Sequence, residues 1–125
     1  MSASFGPVLI IEEDAAVRDS LRFALEMEGL QVRTYADPAA LLDDRHLPNQ
    51  GCLVMDCLPP ALDDLDLIRR LRDRGLHLPV ILITADATKA ARQTASRCGV
   101  RLVPGTPVDG DVLMASILEA LAEPA

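Results

Sequence analysis

Carboxylates and one hydroxyl group follow three separate apolar runs of this chain. Glu12 and Glu13 follow the first run, Asp56 follows the second, and Thr84 follows the third. The runs are, in chain order, Val8–Ile11, Cys52–Met55 and Val80–Ile83. If they form neighbouring parallel strands, these polar groups meet at the edge where open α/β sheets bind ligands. Clustered carboxylates repel one another, so the pattern indicates a site that a divalent cation neutralises.

Length and charge restrict the classes of function. With 125 residues, the chain suits one domain, residues 1–125, with its own core. A net charge of −7 argues against direct nucleic acid binding by this domain. No apolar stretch is long enough to span a bilayer, and the first residues show no signal-peptide pattern. We therefore expect a cytoplasmic location with no membrane attachment.

Two groups of residues receive structural rather than functional interpretations. Cys52, Cys57 and Cys98 lack the spacing of a metal site, so we expect reduced thiols and no bound zinc. The third predicted helix carries a basic cluster, which we interpret as a solvated face. The acidic net charge argues against nucleic acid binding there. The residues of that cluster are Arg69, Arg70, Arg72 and Arg74.

Strand and helix patterns alternate along the chain. The predicted strands are Val8–Ile11, Gln31–Tyr35, Cys52–Met55, Pro79–Ile83 and Leu102–Val103. The predicted helices are Ala15–Glu28, Pro38 to about Asp43, about Asp64 to Arg74, Ala87–Cys98, and a last helix capped by Asp109 that runs to Leu121. This alternation predicts an α/β fold, a five-stranded parallel sheet with five helices on both faces. The apolar strands belong in the middle and the half-polar Gln31–Tyr35 at an edge, which the strand order 2-1-3-4-5 satisfies.

Apolar residues at helical spacing indicate which helix faces are buried. The expected inward residues are Val17, Leu21, Ala24 and Leu25 on the first helix, and Leu65, Ile68 and Leu71 on the third.

Three stretches of the sequence resemble the receiver domains of two-component response regulators, and most closely the FixJ/NarL-like group. Glu13–Leu21 is similar to the first helix of that group, Gly51–Asp56 to its phosphoacceptor strand, and Leu78–Thr84 to its fourth strand. The matches occur in the family's order and spacing, and the resemblance covers nearly the whole chain. It implies the flavodoxin-like receiver fold.

The resemblance also implies a role for each group at the acidic edge. Asp56 would accept a phosphoryl group from a histidine kinase or a phosphotransfer protein, and Thr84 would contact that group. Glu12 and Glu13 stand at the metal-binding acidic pair, which with Asp56 and the backbone carbonyl of Leu58 would hold Mg²⁺. The cation would screen the repulsion between a carboxylate and an anionic phosphoryl donor. Such a domain is not an enzyme, and at most it catalyses its own phosphorylation and dephosphorylation.

The sequence departs from the family pattern at several positions, so we expect an atypical receiver. Thr106, before Pro107, stands where the family has a lysine. Val103 stands where the family has an aromatic switch residue. Glu12 and Glu13 both replace a predominant aspartate, and the added methylene groups are expected to weaken Mg²⁺ binding.

Alternative functions remain open at the level of sequence. A working phosphoacceptor would signal, and could form a homodimer, through the face built by Ala87–Cys98, Leu102–Val103 and Asp109–Leu121. Loss of the lysine and the aromatic would instead suit a degenerate receiver, which keeps the fold and acts as a protein-interaction module independent of phosphorylation. A magnesium-dependent hydrolase is disfavoured because Leu58 stands where an acid/base aspartate is needed.

Overall fold

The computed structural model describes residues 6–56, 62–84, 89–97, 99–105 and 109–122. Within these ranges, the side chains of residues 56, 62–65, 89–91 and 94 lie outside the description. The elements are β1 (Val8–Ile11), α1 (Ala15–Met27), β2 (Val32–Tyr35), α2 (Pro38–Asp43), β3 (Cys52–Asp56), α3 (Leu62–Asp73), β4 (Val80–Thr84), α4 (Lys89–Arg97), β5 (Val100–Pro104) and α5 (Gly110–Ala122). No helix among the described residues has the length and apolarity to cross a bilayer.

All five strands are parallel and lie in the order β2-β1-β3-β4-β5. The predicted fold class and strand order are therefore confirmed. The unbroken apolar strands β1, β3 and β4 occupy the middle of the sheet, where both faces are covered, and β2 and β5 form the edges.

Side chains that alternate along the strands divide the interior into two cores. One core lies between the sheet and α2, α3 and α4, and includes Leu41, Leu53, Ile68, Leu82 and Ala95. The other lies beneath α1 and α5, and includes Ile10, Leu25, Ile83, Val103 and Ile117.

The first helix buries less of its apolar stripe than expected. Leu25 is buried and Leu21 half-buried, but Val17 and Ala24 are exposed. Phe23 and Met27 also face solvent, with 67% and 71% of their surface exposed. One face of α1 is therefore apolar and uncovered in the single chain.

The third helix packs nearly as predicted. Ile68 and Leu71 are buried, while the side chain of Leu65 lies outside the described part of the chain. Leu67 is also buried and was not among the expected inward residues. The helix therefore presents two adjacent positions, 67 and 68, to the core.

Three aspartates begin helices as their sequence context predicts. Asp14 accepts hydrogen bonds from the backbone N–H groups of Ala16 and Val17 at 2.9 and 3.2 Å. The Asp37 and Asp109 side chains accept equivalent bonds at the starts of α2 and α5. Each aspartate thus satisfies backbone donors that the first turn leaves unpaired.

The last strand is longer than predicted. β5 pairs with β4 over five positions, from Val80 opposite Val100 to Thr84 opposite Pro104. Arg101 and Pro104 interrupt the apolar pattern, which is why the sequence indicated only Leu102–Val103. An edge strand tolerates both residues because one side of its backbone has no strand partner.

Candidate functional site

The strand register places Asp56 between the ends of β1 and β4. Met55 lies opposite Ile11 of β1, and Asp56 lies opposite Ile83 of β4. Glu12 follows β1 directly, and Thr84 is the last residue of β4. The carboxyl ends of three adjacent strands therefore carry the acidic residues and the hydroxyl that the sequence indicated. The backbone of Asp56 is described, whereas its side chain is not.

The acidic residues after β1 lie in three different environments. Glu12 is buried with 6% of its surface exposed, and Glu13 is exposed. Asp14 is engaged as the N-cap of α1. Glu13 therefore offers a solvent-accessible carboxylate directly after β1 that is not engaged as a helix cap.

Backbone hydrogen bonds on both sides fix the position of Glu12. Its N–H donates to the carbonyl oxygen of Tyr35 at 3.0 Å. Its carbonyl oxygen accepts a bond from Nη1 of Arg18 at 2.8 Å. The sequence did not single out Arg18 as a functional residue. The available signal was a cation at the fourth position of a helix that follows three carboxylates.

Thr84 is completely buried at the end of β4. Its carbonyl oxygen accepts a hydrogen bond from the N–H of Gly105 at 3.0 Å, which ties the end of β4 to the end of β5. By strand alternation its side chain shares a face with Leu82, which belongs to the core beneath α2, α3 and α4.

Val103 lies on the opposite face of the sheet from Thr84. It is buried with Ile83 in the core beneath α1 and α5. On β5, the residues on the Thr84 face are Leu102, which packs against the other core, and Pro104. A ring at position 103 would therefore point away from Thr84 in this register, and β5 carries no aromatic residue on either face.

Two predicted site positions fall in segments that the structure does not describe. Leu58 and Thr106 lie outside the described residues. No group of three potential metal-ligating side chains occurs within the described part of the chain, which does not include the Asp56 carboxylate. The chemistry of the donor set nevertheless fits Mg²⁺, because Glu12, Glu13 and Asp56 offer only oxygen ligands.

Cys52, in β3, is fully buried, and burial raises the pKa of its thiol to about 12. It is a free cysteine that behaves as a small core residue. Cys57 and Cys98 lie outside the described residues.

Comparison with known proteins identifies the family. The model of the response regulator receiver domain matches residues 8–118. The chain belongs to the response regulator receiver family. It is therefore a receiver domain of the two-component systems and not a classical enzyme.

The transcriptional regulatory protein FixJ of Azorhizobium caulinodans is 34% identical over 119 residues, which cover 95% of this chain and 56% of that protein. FixJ of Bradyrhizobium diazoefficiens is 33% identical over 122 residues, which cover 96% of this chain and 60% of the relative. The crystal structure of FixJ-N matches with a TM-score of 0.76 and 27% identity, over 95% of each chain. The chain thus spans little more than half the length of these FixJ relatives.

Proposed function

We propose that Asp56 is the phosphoacceptor of this receiver domain. The observation that carries the proposal is the position of Asp56 at the end of the central strand β3, between Glu12 after β1 and Thr84 at the end of β4. In the proposed reaction, an Asp56 carboxylate oxygen attacks the phosphorus of a phosphorylated histidine. The P–N bond breaks, an O–P bond forms, and the histidine nitrogen leaves with the electron pair.

Each neighbouring group has a proposed task. Glu13 and Asp56, with Glu12 and the backbone carbonyl of Leu58, would hold Mg²⁺. When bound, Mg²⁺ supplies the positive charge that offsets repulsion between Asp56 and the phosphoryl oxygens. Thr84 would donate its hydroxyl hydrogen to a phosphoryl oxygen.

We expect the bond between Arg18 and the Glu12 carbonyl to support this arrangement. By holding the backbone at Glu12, it fixes the start of the acidic segment relative to β3. Preorganisation of this kind matters because catalytic groups lose effectiveness when displaced by about 1 Å.

The proposed phosphoacceptor is slow. Thr106 offers no cation at the position where the family has a lysine, and removal of one charged contact to a transition state costs a few kcal/mol, roughly a hundredfold or more in rate. Phosphorylation is therefore expected to proceed incompletely with small acyl-phosphate donors. Any catalysis by the domain is limited to gain and loss of its own phosphoryl group.

The proposed signalling face comprises α4, β5 and α5. On α5, Val112 is 45% exposed and lies on the same side as Glu119, which contacts Arg101 of β5 at 2.9 Å. This face combines apolar and charged groups, as partner-binding surfaces do. We propose that it binds a second copy of the chain or a downstream protein, and that a histidine kinase or phosphotransfer protein supplies the phosphoryl group in the cytoplasm.

The phosphorylation-independent interaction module is the weaker candidate, because such a module has no need of an aspartate between Glu12 and Thr84 at the ends of three adjacent strands. The experiment that separates the two is phosphorylation by a small acyl phosphate with Mg²⁺, followed by intact mass and peptide mapping. We expect one phosphoryl group on Asp56 of the wild type and none on Asp56→Asn. Equal labelling of both proteins would contradict the assignment of Asp56, and labelling of neither would favour the interaction module.

A further inference from the structure

A cavity lined by basic residues opens at the end of the sheet where the strands begin, opposite the end that carries Asp56. It lies at the amino ends of β4 and β5, where Val80 pairs with Val100. Its volume is about 400 Å³, within the range of small-molecule sites. Its lining includes Arg72 of α3, His77 and Arg101 of β5. Three basic side chains therefore meet in one cavity of a chain whose net charge is −7.

Arg72 lies next to Gly99, another residue that lines the cavity. Its guanidinium passes so close to the backbone of Gly99 that a Cβ atom at position 99 would lie 3.1 Å from Nη2. Arg72 also helps line a small apolar cavity between α3 and the sheet, together with Leu71 and Val80. Arg72 thus borders both cavities, and its guanidinium lies beside Gly99 of the larger one.

Other arginines of the same helix have local partners. Arg69 and Arg70 are exposed and each contacts Asp66 at 2.7 Å. Arg74 donates to the backbone carbonyl of Leu42. Arg72 has no ion pair with any side chain that the structure describes. The interpretation of the cluster as a solvated face therefore suits Arg69 and Arg70 and does not suit Arg72.

The second arginine of the cavity, Arg101, makes an ion pair that is exposed to solvent. Arg101 pairs with Glu119, whose side chain is 71% exposed. Exposed ion pairs of this kind contribute little to stability, so an anion in the cavity can compete for the guanidinium. Arg72 and Arg101 come from different layers of the fold, and a ligand with two anionic groups would contact both.

We propose that this cavity binds a small multivalent oxyanion, a molecule with phosphate or carboxylate groups. Guanidinium groups pair with both through two parallel hydrogen bonds, and His77 adds a third donor. The site is separate from the proposed phosphoacceptor, since the two lie at opposite ends of the strands. A ligand here would connect α3 to β5 and, through Glu119, to α5.

The test is calorimetric titration of the protein with pyrophosphate and with citrate, without Mg²⁺ and at constant ionic strength. We expect the wild type to bind at least one of them. Arg72→Gln and Arg101→Gln should each weaken binding about tenfold or more, because each removes a charged hydrogen-bond donor. Arg70→Gln, an exposed arginine of the same helix, is the matched control and should bind like the wild type. A preference for pyrophosphate or for citrate identifies the anionic group of the ligand.

The proposal is overturned if the wild type binds neither anion, or if Arg70→Gln weakens binding as much as Arg72→Gln. A titration of the wild type followed by NMR makes the test independent of how the variants fold. The amide signals of His77, Gly99 and Arg101 should shift with added anion. Shifts that are confined to Glu12 and Glu13 would contradict the location.

Discussion

Glu12 and Glu13 are neighbours in the chain but differ in what they can do. Glu12 is buried and its backbone is held by Tyr35 and Arg18, whereas Glu13 is exposed. The sequence indicated an acidic pair at the end of β1 and could not distinguish its members. Which of the two glutamates is buried depends on how the chain turns from β1 into α1. A pair of adjacent carboxylates in the sequence does not specify that turn.

The missing lysine leads to a prediction at Thr106. Thr106→Lys should accelerate phosphorylation of Asp56 by a small acyl phosphate, because an ammonium group there would pair with the phosphoryl oxygens. The measurement is the rate of mass gain of the intact protein. Ser96→Lys, which adds the same charge at an exposed position near the end of α4, is the matched control and should leave the rate nearly unchanged. An unchanged or lower rate in Thr106→Lys would show that the position or its role is misassigned.

A second prediction concerns the hydrogen bond between Tyr35 and Asp44, 2.5 Å from Oη to Oδ2. Burial, and then the bond and charge of Asp44, raise the pKa of the Tyr35 phenol above its ordinary value of 10.0. The stability that the neutral phenol contributes is therefore complete below pH 10 and is lost as pH rises through the higher pKa of the folded state. Tyr35→Phe should reduce the fall in unfolding free energy between pH 9 and pH 11, as measured by urea denaturation. An unchanged fall in the variant would contradict this linkage.

At the scale of single elements, helix α1 carries both buried and exposed apolar residues. Leu25→Ala should lower the free energy of unfolding by about 2–5 kcal/mol, because Leu25 is 3% exposed and packs in the core beneath α1 and α5. Phe23→Ala should change it by only about 0.5 kcal/mol, because Phe23 faces solvent. Chemical denaturation of the two variants gives the comparison. Similar losses in both would mean that Phe23 is covered in solution.

The central strands were predictable because buried parallel strands form continuous apolar runs, as in β1, β3 and β4. The ends of β5 were not predictable, because Arg101 and Pro104 lie in an edge strand that tolerates a charge and a proline. The face that Val103 occupies was also not predictable. It depends on the register of β5 against β4, and a shift of one residue moves every side chain to the other face.

For the whole molecule, the position of Val103 weakens the expected link between Asp56 and the signalling face. No aromatic of β5 lies beside Thr84, so the proposed phosphorylation has no large side chain to move there. Self-association through α4, β5 and α5 should therefore be nearly the same with and without phosphorylation. Sedimentation of the wild type and Asp56→Ala, each with and without Mg²⁺ and acyl phosphate, measures this. Dimerisation that appears only in the phosphorylated wild type would contradict the prediction.

The most direct test of the proposed site at Asp56, Glu12 and Glu13 is the Mg²⁺ dependence of phosphorylation. The wild type, Glu13→Gln and Glu28→Gln are incubated with acyl phosphate over a range of Mg²⁺ concentrations, and the phosphorylated fraction is read by intact mass. Glu28, exposed at the end of α1, is the matched control. We expect one phosphoryl group on the wild type and on Glu28→Gln only when Mg²⁺ is present, and a higher Mg²⁺ requirement for Glu13→Gln. Phosphorylation that is independent of Mg²⁺, or a Glu13→Gln curve that coincides with the wild type, would contradict the proposed site.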